Sequence, residues 1–308
     1  MNRAPHPGSG QSSRQTVHLD LAADVLAHPE QLASLSLAHW DRLVRQARQA
    51  DVLARIASRL QSEAAMASVP DAPRAHLEAA LLLARAQRDE VQREVGHLAR
   101  LLNAMGLPLV LLKGAAYLMA GLQAAQGRLF ADIDILVPRA RLPEVESALM
   151  LAGWATSHHS AYDQRYYREW MHELPPMWHA KRGTTLDVHH AILPLTARLH
   201  PRSELLLDAS VAAQGDPGVR VLAPADMVLH SMSHLVHNDE LSHGLRDLSD
   251  LDLLLRQFGS QPGFWPGFVA RTETLGLQRP AFYALEAVRE RFTTPVPEAV
   301  AAAARRWA

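Results

Sequence analysis

The chain has no cysteine. Disulfides and thiolate metal sites are therefore excluded, which fits a reducing compartment and makes the cytoplasm the expected location. An excess of either charge is also missing. With 31 Lys and Arg against 32 Asp and Glu, the formal net charge is −1, so no global positive field points to nucleic acid, and only a local basic patch could serve such a partner. Long apolar runs are absent too. No stretch offers the roughly 18 apolar residues of a membrane span, and the polar start, rich in Pro, Gly, Ser and Gln, has no h-region of a signal peptide. No membrane partner is expected. What is present, 48% apolar and 20% charged residues in a chain of 308, is the composition of a folded, water-soluble protein long enough for two ordinary domains.

Four regions follow from texture. Residues 1–18 read as a disordered tail. Residues 19–106 are dominated by Ala, Leu, Arg and Gln, the composition of helices. Within them Leu77, Leu81, Ala84, Val91, Val95, Leu98 and Leu102 recur at helical spacing and give one long helix an apolar face. Residues 107–200 change character. The run Leu109–Leu112 reads as a strand that turns at Lys113-Gly114 into the Ala-rich segment 115–125, 130–137 reads as a second strand stopped by Pro138, 142–151 as a helix, and 185–190 as a further strand. Residues 201–308 read as a helical region, with 227–236 and 245–258 as its clearest helices and 261–267 as a Pro/Gly loop. The fold class is α+β: a small mixed sheet flanked by N-terminal helices and a C-terminal helical bundle, with the site in the cleft between sheet and helices.

The chemistry concentrates in Asp132-Ile133-Asp134-Ile135-Leu136-Val137. Strand side chains alternate, so the two carboxylates share one face while Ile133 and Ile135 enter the core. Paired carboxylates repel unless a cation joins them, and oxygen-only ligands suit Mg²⁺; the plainer alternative is a solvated strand end. Leu186-Asp187-Val188-His189 repeats the alternation and places Asp187 beside His189. Lys113-Gly114, between strand and helix, suits a phosphate cradle, where free N–H groups meet a point charge, or is an ordinary turn. Arg128 is either a triphosphate contact or a surface salt bridge.

The ordered set Lys113-Gly114-Ala115-Ala116-Tyr117-Leu118-Met119, Arg128 to Val137, and Leu186-Asp187-Val188-His189-His190 resembles the polymerase-β-like nucleotidyltransferase superfamily, and within it a bacterial branch of uncharacterised nucleotidyltransferases. The resemblance covers about 101–193, with a weaker likeness over 230–255. It departs from the usual Gly-Ser turn, since Ala115 leaves the family's serine hydroxyl without a counterpart. The resemblance implies a two-metal mechanism in which Asp132, Asp134 and Asp187 are catalytic and hold Mg²⁺, with Lys113, Gly114 and Arg128 contacting a nucleoside triphosphate, ATP being the expected donor and AMP the expected group moved. The acceptor is a small molecule, a protein or an RNA end.

Two other readings compete. The same fold can serve as a non-catalytic nucleotide-binding protein. His230, His234 and His237, at i, i+4 and i+7 on one helix face, offer a histidine-based metal hydrolase, although no H-E-x-x-H pattern accompanies them. Arg246 and Asp247 are charges that either line the cleft or form a solvated face. Tyr162, Tyr166, Tyr167, Trp170 and Trp178 crowd one segment, where they stack on a ring or fill core.

Overall fold

The computed structural model describes residues 20–156, 160, 167, 170–214, 216–237 and 243–308. The N-terminal tail, Tyr162 and Tyr166 lie outside them. The architecture is α+β, one seven-stranded mixed sheet between N-terminal and C-terminal helices.

Across the sheet the strands run in the order 154–156, 177–179, 185–189, 133–136, 109–112, 216–221 and 211–213. Strand β1 (Leu109–Leu112) is buried at every residue, as a continuous apolar run requires of a strand covered on both faces. It pairs antiparallel with β2 (Ile133–Leu136) and parallel with β7 (Asp216–Val221). β2 pairs in parallel with β5 (Thr185–His189), and β5 continues antiparallel to β4 (Met177–His179) and then β3 (Trp154–Thr156). At the opposite edge β6 (Val211–Ala213) closes an antiparallel hairpin with β7 through an irregular register at Ala212/Ala213. Strands β6 and β7 come from residues beyond 200, where the sequence reads as helical. Pro217 and Gly218 hide β7 from a propensity reading, yet its partner β1 supplies the ladder that propensity does not.

The long helix is Asp71–Ala104, and all seven apolar residues read from its periodicity are buried. It serves two cores at once. Leu77 and Leu81 join the N-terminal helices 20–27, 37–49 and 53–62, whereas Val91, Val95, Leu98 and Leu102 pack with the sheet and the C-terminal bundle. The bundle contains helices 224–237, 244–259, 264–275, 278–292 and 298–305. The expected loop at 261–267 is shorter than its Pro and Gly content suggested, because a helix begins at Phe264 and places Pro266 in the first turn, where no intrahelical N–H donor is needed.

A buried ion cluster ties these layers together. Asp250, in helix 244–259, receives the Arg55 guanidinium from the N-terminal helices on one carboxylate oxygen, and Arg128 Nε at 2.8 Å on the other. Arg55 also donates to Ser249 Oγ and to the Ala124 carbonyl, the latter at 2.7 Å. The approach of Arg55 is possible because Gly127, at φ +63°, has no side chain: a Cβ there would lie 2.6 Å from Arg55 Cα. All three charged groups are buried, so each depends on the others. Asp250→Asn should therefore cost about 3–5 kcal/mol, the range for removing one partner of a buried pair. Urea unfolding checks this, and a loss below about 1 kcal/mol would mean that the cluster carries little of the stability.

Candidate functional site

The register of three strands builds the site. Leu112 lies opposite Asp134 across β1 and β2, and Asp134 is the partner of Asp187 across β2 and β5. The next residue after β1, Lys113, therefore arrives beside Asp134 with its Nζ 2.7 Å from Oδ1. His189, two residues past Asp187 on the same strand face, brings Nε2 to 2.9 Å from the same oxygen. Asp134, Asp187 and His189 present one ligand atom each, all within 4.8 Å of one another. Asp132 precedes β2 and lies nearer the solvent. It lines the cleft with Lys113, Arg128, His234, Arg246 and Asp247, between the sheet and helices 224–237 and 244–259.

The three carboxylates have different electrostatics. Burial opposes the charge of Asp134, but the Lys113 ammonium and the His189 hydrogen bond outweigh it and hold the carboxyl far below its ordinary range. Lys113 is correspondingly raised: burial works against its charge, and Asp134 overrides burial. Asp187 has no such cation. Burial and the neighbouring Asp134 and Glu173 charges push it up to about 7, and its Oδ1 is buried without a hydrogen-bond partner. Asp132 is also raised, by burial and then by Asp134.

Lys113 itself sits at φ +45°, a left-handed conformation costly for a residue with a side chain. Helix 113–119 starts at this residue rather than after a separate turn. The space left by Gly114 is taken up by Arg128, whose Cζ would lie 2.8 Å from an added Cβ, with Phe130 close behind. Gly114 is thus explained by a guanidinium packed over it. Arg128 is no surface salt bridge: it is buried, it pairs with Asp250, and its guanidinium faces the rings of Tyr117 and Phe130. It still borders the cleft.

The histidine helix divides by depth. His230 is buried and held well below its ordinary pKa by desolvation, and then by the Lys113 charge. His234 faces the cleft 3.8 Å from Asp247 and is lowered to about 4, chiefly by burial and next by Lys113. His237 Nδ1 lies 2.9 Å from the Ser233 carbonyl. Among the described residues, the compact metal-ligand groupings include none of these three. Arg246 and Asp247 do line the cleft, which removes the solvated-face alternative. Trp178 and Trp170 are substantially exposed rather than core.

Sequence patterning missed Glu173. Its position depends on a short segment pairing against the end of β5, where Glu173 bridges His189 and Leu174 N–H donates to Val188 O, and no local alternation announces that contact.

The Asp187 shift has a consequence for stability. Its folded pKa is raised from 3.8 to about 7, so the folded state keeps a proton that the unfolded chain releases, and stability falls as pH rises from about 4 through about 7. Asp187→Asn removes this decline. Thermal unfolding in chelator should show the variant gaining on the wild type between pH 5 and pH 8; a pH-independent difference would mean that Asp187 is ionised throughout.

A family model described as uncharacterised nucleotidyltransferase matches residues 36–293. No curated protein and no solved structure matches the chain.

Proposed function

Since the chain belongs to the family of uncharacterised nucleotidyltransferases, we propose that it transfers a nucleoside monophosphate from a nucleoside triphosphate, with ATP as donor and AMP as the group moved, to an acceptor hydroxyl. The observation that carries this reading is the register pairing of Asp187 with Asp134, two residues after Asp132, which lines the neighbouring cleft together with Lys113 and Arg246.

The donor set fits Mg²⁺. Carboxylate oxygens are its preferred protein ligands, and the unpartnered Asp187 Oδ1 is an orphan that a cation would satisfy. Asp132, Asp134 and Asp187 would hold the ion. When bound, it supplies Lewis-acid activation of the acceptor hydroxyl and neutralises charge on the phosphates. In the reaction the acceptor hydroxyl gives up its proton to solvent as its oxygen attacks the α-phosphate in line, a P–O bond forms, and the bond to pyrophosphate breaks.

The chain's own groups orient these partners. Lys113 neutralises Asp134 before substrate arrives and lines the cleft that a triphosphate would enter. Arg246 lends positive charge to the same wall, and Asp247 holds its guanidinium through Nε at 2.9 Å. His189 fixes the Asp134 carboxylate from below. Trp178, exposed on β4, is available for stacking but does not line the cleft. Among the described residues no helix is long and apolar enough to cross a membrane. The cysteine-free chain and its nucleotide substrate suit the cytoplasm as its working compartment.

Incubating the protein with each of four triphosphates labelled at the α-phosphate, in cell extract with Mg²⁺, should move label onto an acceptor. Asp134→Asn and Asp187→Asn should each lower transfer by more than about 100-fold, beyond the loss of an outer-shell partner. Wild-type transfer by either variant would refute the carboxylate assignment, and triphosphate binding without transfer would identify a non-catalytic nucleotide-binding protein.

Lys113 should behave differently from Asp187. A group that meets the phosphates in both ground and transition states governs binding, whereas hydroxyl activation matters only on the way to the transition state. Lys113→Ala should raise KM for the triphosphate more than it lowers kcat, and Asp187→Asn should act mainly on kcat. The reverse pattern in steady-state kinetics would exchange their roles.

A further inference from the structure

Behind Asp134 lies a second cluster that shares His189 with the carboxylate site and adds His172 and Glu173, which nucleotidyl transfer does not use. The 172–174 segment pairs with the end of β5: His190 N–H donates to the His172 carbonyl at 2.8 Å, Leu174 N–H to Val188 O at 2.9 Å, and Glu173 bridges His189 directly across. Opposed residues of an antiparallel bridge point to the same side, so the Glu173 carboxylate meets the His189 ring. Its Oε2 is 3.1 Å from His189 Nδ1 and 3.8 Å from His172 Nε2. One ligand atom each from His172, Glu173 and His189 lie within 4.8 Å of one another.

Three details make this more than a polar contact. His189 is only 1% exposed, and its Nδ1 is buried without a hydrogen-bond partner despite the nearby carboxylate. Distance permits that bond; direction does not. The opposite nitrogen, Nε2, faces Asp134, a carboxylate that can only accept, so Nε2 is the donor there and Nδ1 is the nitrogen turned toward Glu173. His172 is half-buried with an unpartnered Nδ1 of its own, and burial, followed by the His189 charge, lowers it to about 3, which leaves a neutral imidazole ready to ligate. Two atoms each about 2.1 Å from a shared ion stand roughly 3.0–3.4 Å apart at octahedral to tetrahedral angles. The 3.1 Å between Nδ1 and Oε2 falls in this interval, and the 3.8 Å from Oε2 to His172 Nε2 lies a few tenths of an ångström beyond it.

We propose that His172, Glu173 and His189 form a binding site for a borderline transition-metal ion of the Zn²⁺ class, distinct from the carboxylate centre and joined to it through the His189 ring. Two imidazoles and one carboxylate suit Zn²⁺ or Co²⁺, whereas Mg²⁺ prefers oxygen ligands alone. A proton on Nδ1 is the occupant that such an ion displaces. Once bound, the ion fixes the His189 tautomer whose Nε2–H is donated to Asp134, so Asp134 becomes the outer-shell carboxylate of a metal–histidine–carboxylate chain. Glu173 and His172 are then positioning residues for Asp134.

Metal binding can be read without turnover. The full chain, stripped with chelator, is titrated with Co²⁺ and followed in the visible, and its melting temperature is measured with and without micromolar Zn²⁺. We expect a visible Co²⁺ band and a Zn²⁺-induced rise in Tm, both retained in Asp187→Asn and both lost in His172→Ala and in Glu173→Gln. Far-UV circular dichroism verifies that the variants fold, and His172→Gln replaces His172→Ala if the latter does not. Absence of a Zn²⁺ shift in the wild type would overturn the proposal. So would a shift that survives both substitutions, a shift lost in Asp187→Asn, which would put the ion on Asp134, Asp187 and His189, or one lost in His234→Ala, which would put it on the histidine helix. Failure of label transfer alongside an intact Zn²⁺ shift would count against nucleotidyl transfer alone.

Discussion

The constraint on which the centre of the molecule depends is the ionised Asp134 carboxylate, buried on a central strand. A charge in that position is untenable without partners, and two cations converge on its Oδ1: the Lys113 ammonium and the His189 ring. Meeting that demand shapes the surrounding backbone. Lys113 must sit at the very end of β1, where it takes a left-handed conformation and opens a helix within one residue. His189 must lie two residues past Asp187 on β5, which makes parallel pairing of β2 with β5 in this register obligatory, since a one-residue slip would turn both Asp187 and His189 to the other face.

The same solution is used a second time, about Asp250. There two arginines converge on one buried carboxylate from elements far apart in sequence, and two glycines make the approach possible, Gly127 beneath Arg55 and Gly114 beneath Arg128. The two ion clusters are neighbours. Arg128 and Asp250 line the cleft that Lys113 and Asp132 also line, so the wall of the cleft is a charge network anchored in three layers of the fold. A residue such as Arg128 can therefore border a binding site while its donors serve the scaffold, and its presence in the cleft does not by itself make it a substrate contact.

This dual role explains what was legible in the sequence and what was not. The apolar face of the 71–104 helix and the strands around Leu111, Ile135 and Val188 were readable because periodicity is local. Asp187 beside His189 was readable for the same reason, and the combination of Lys113-Gly114 with the two acidic strands was specific enough to carry the family resemblance. Strands β6 and β7 were not, because their stability resides in pairing with β1 and not in their own Pro- and Gly-containing residues. Glu173 was illegible on similar grounds: its significance exists only once residues 172–174 lie against the end of β5. The bond between Arg128 and Asp250 spans 122 positions, and no motif encodes such a distance.

The three acidic residues that sequence alone groups together thus differ in kind. Asp134 is neutralised by the protein's own cations and stays charged; Asp187 lacks any such partner, so burial and its acidic neighbours favour the protonated form near neutrality. Asp132, nearer the solvent, shares the cleft with Lys113 and Arg246. A site in which all three were satisfied internally would be more stable, and it would have no affinity left for a cation, because every lone pair would already be committed. Among the three carboxylates the buried oxygen without a partner is Asp187 Oδ1, and it is tolerable there because a proton can neutralise the group. Stability and unmet demand are divided between adjacent strands: β2 carries the carboxylate that the fold has solved, and β5 one with a buried oxygen left unpartnered, the oxygen that the proposed Mg²⁺ would take.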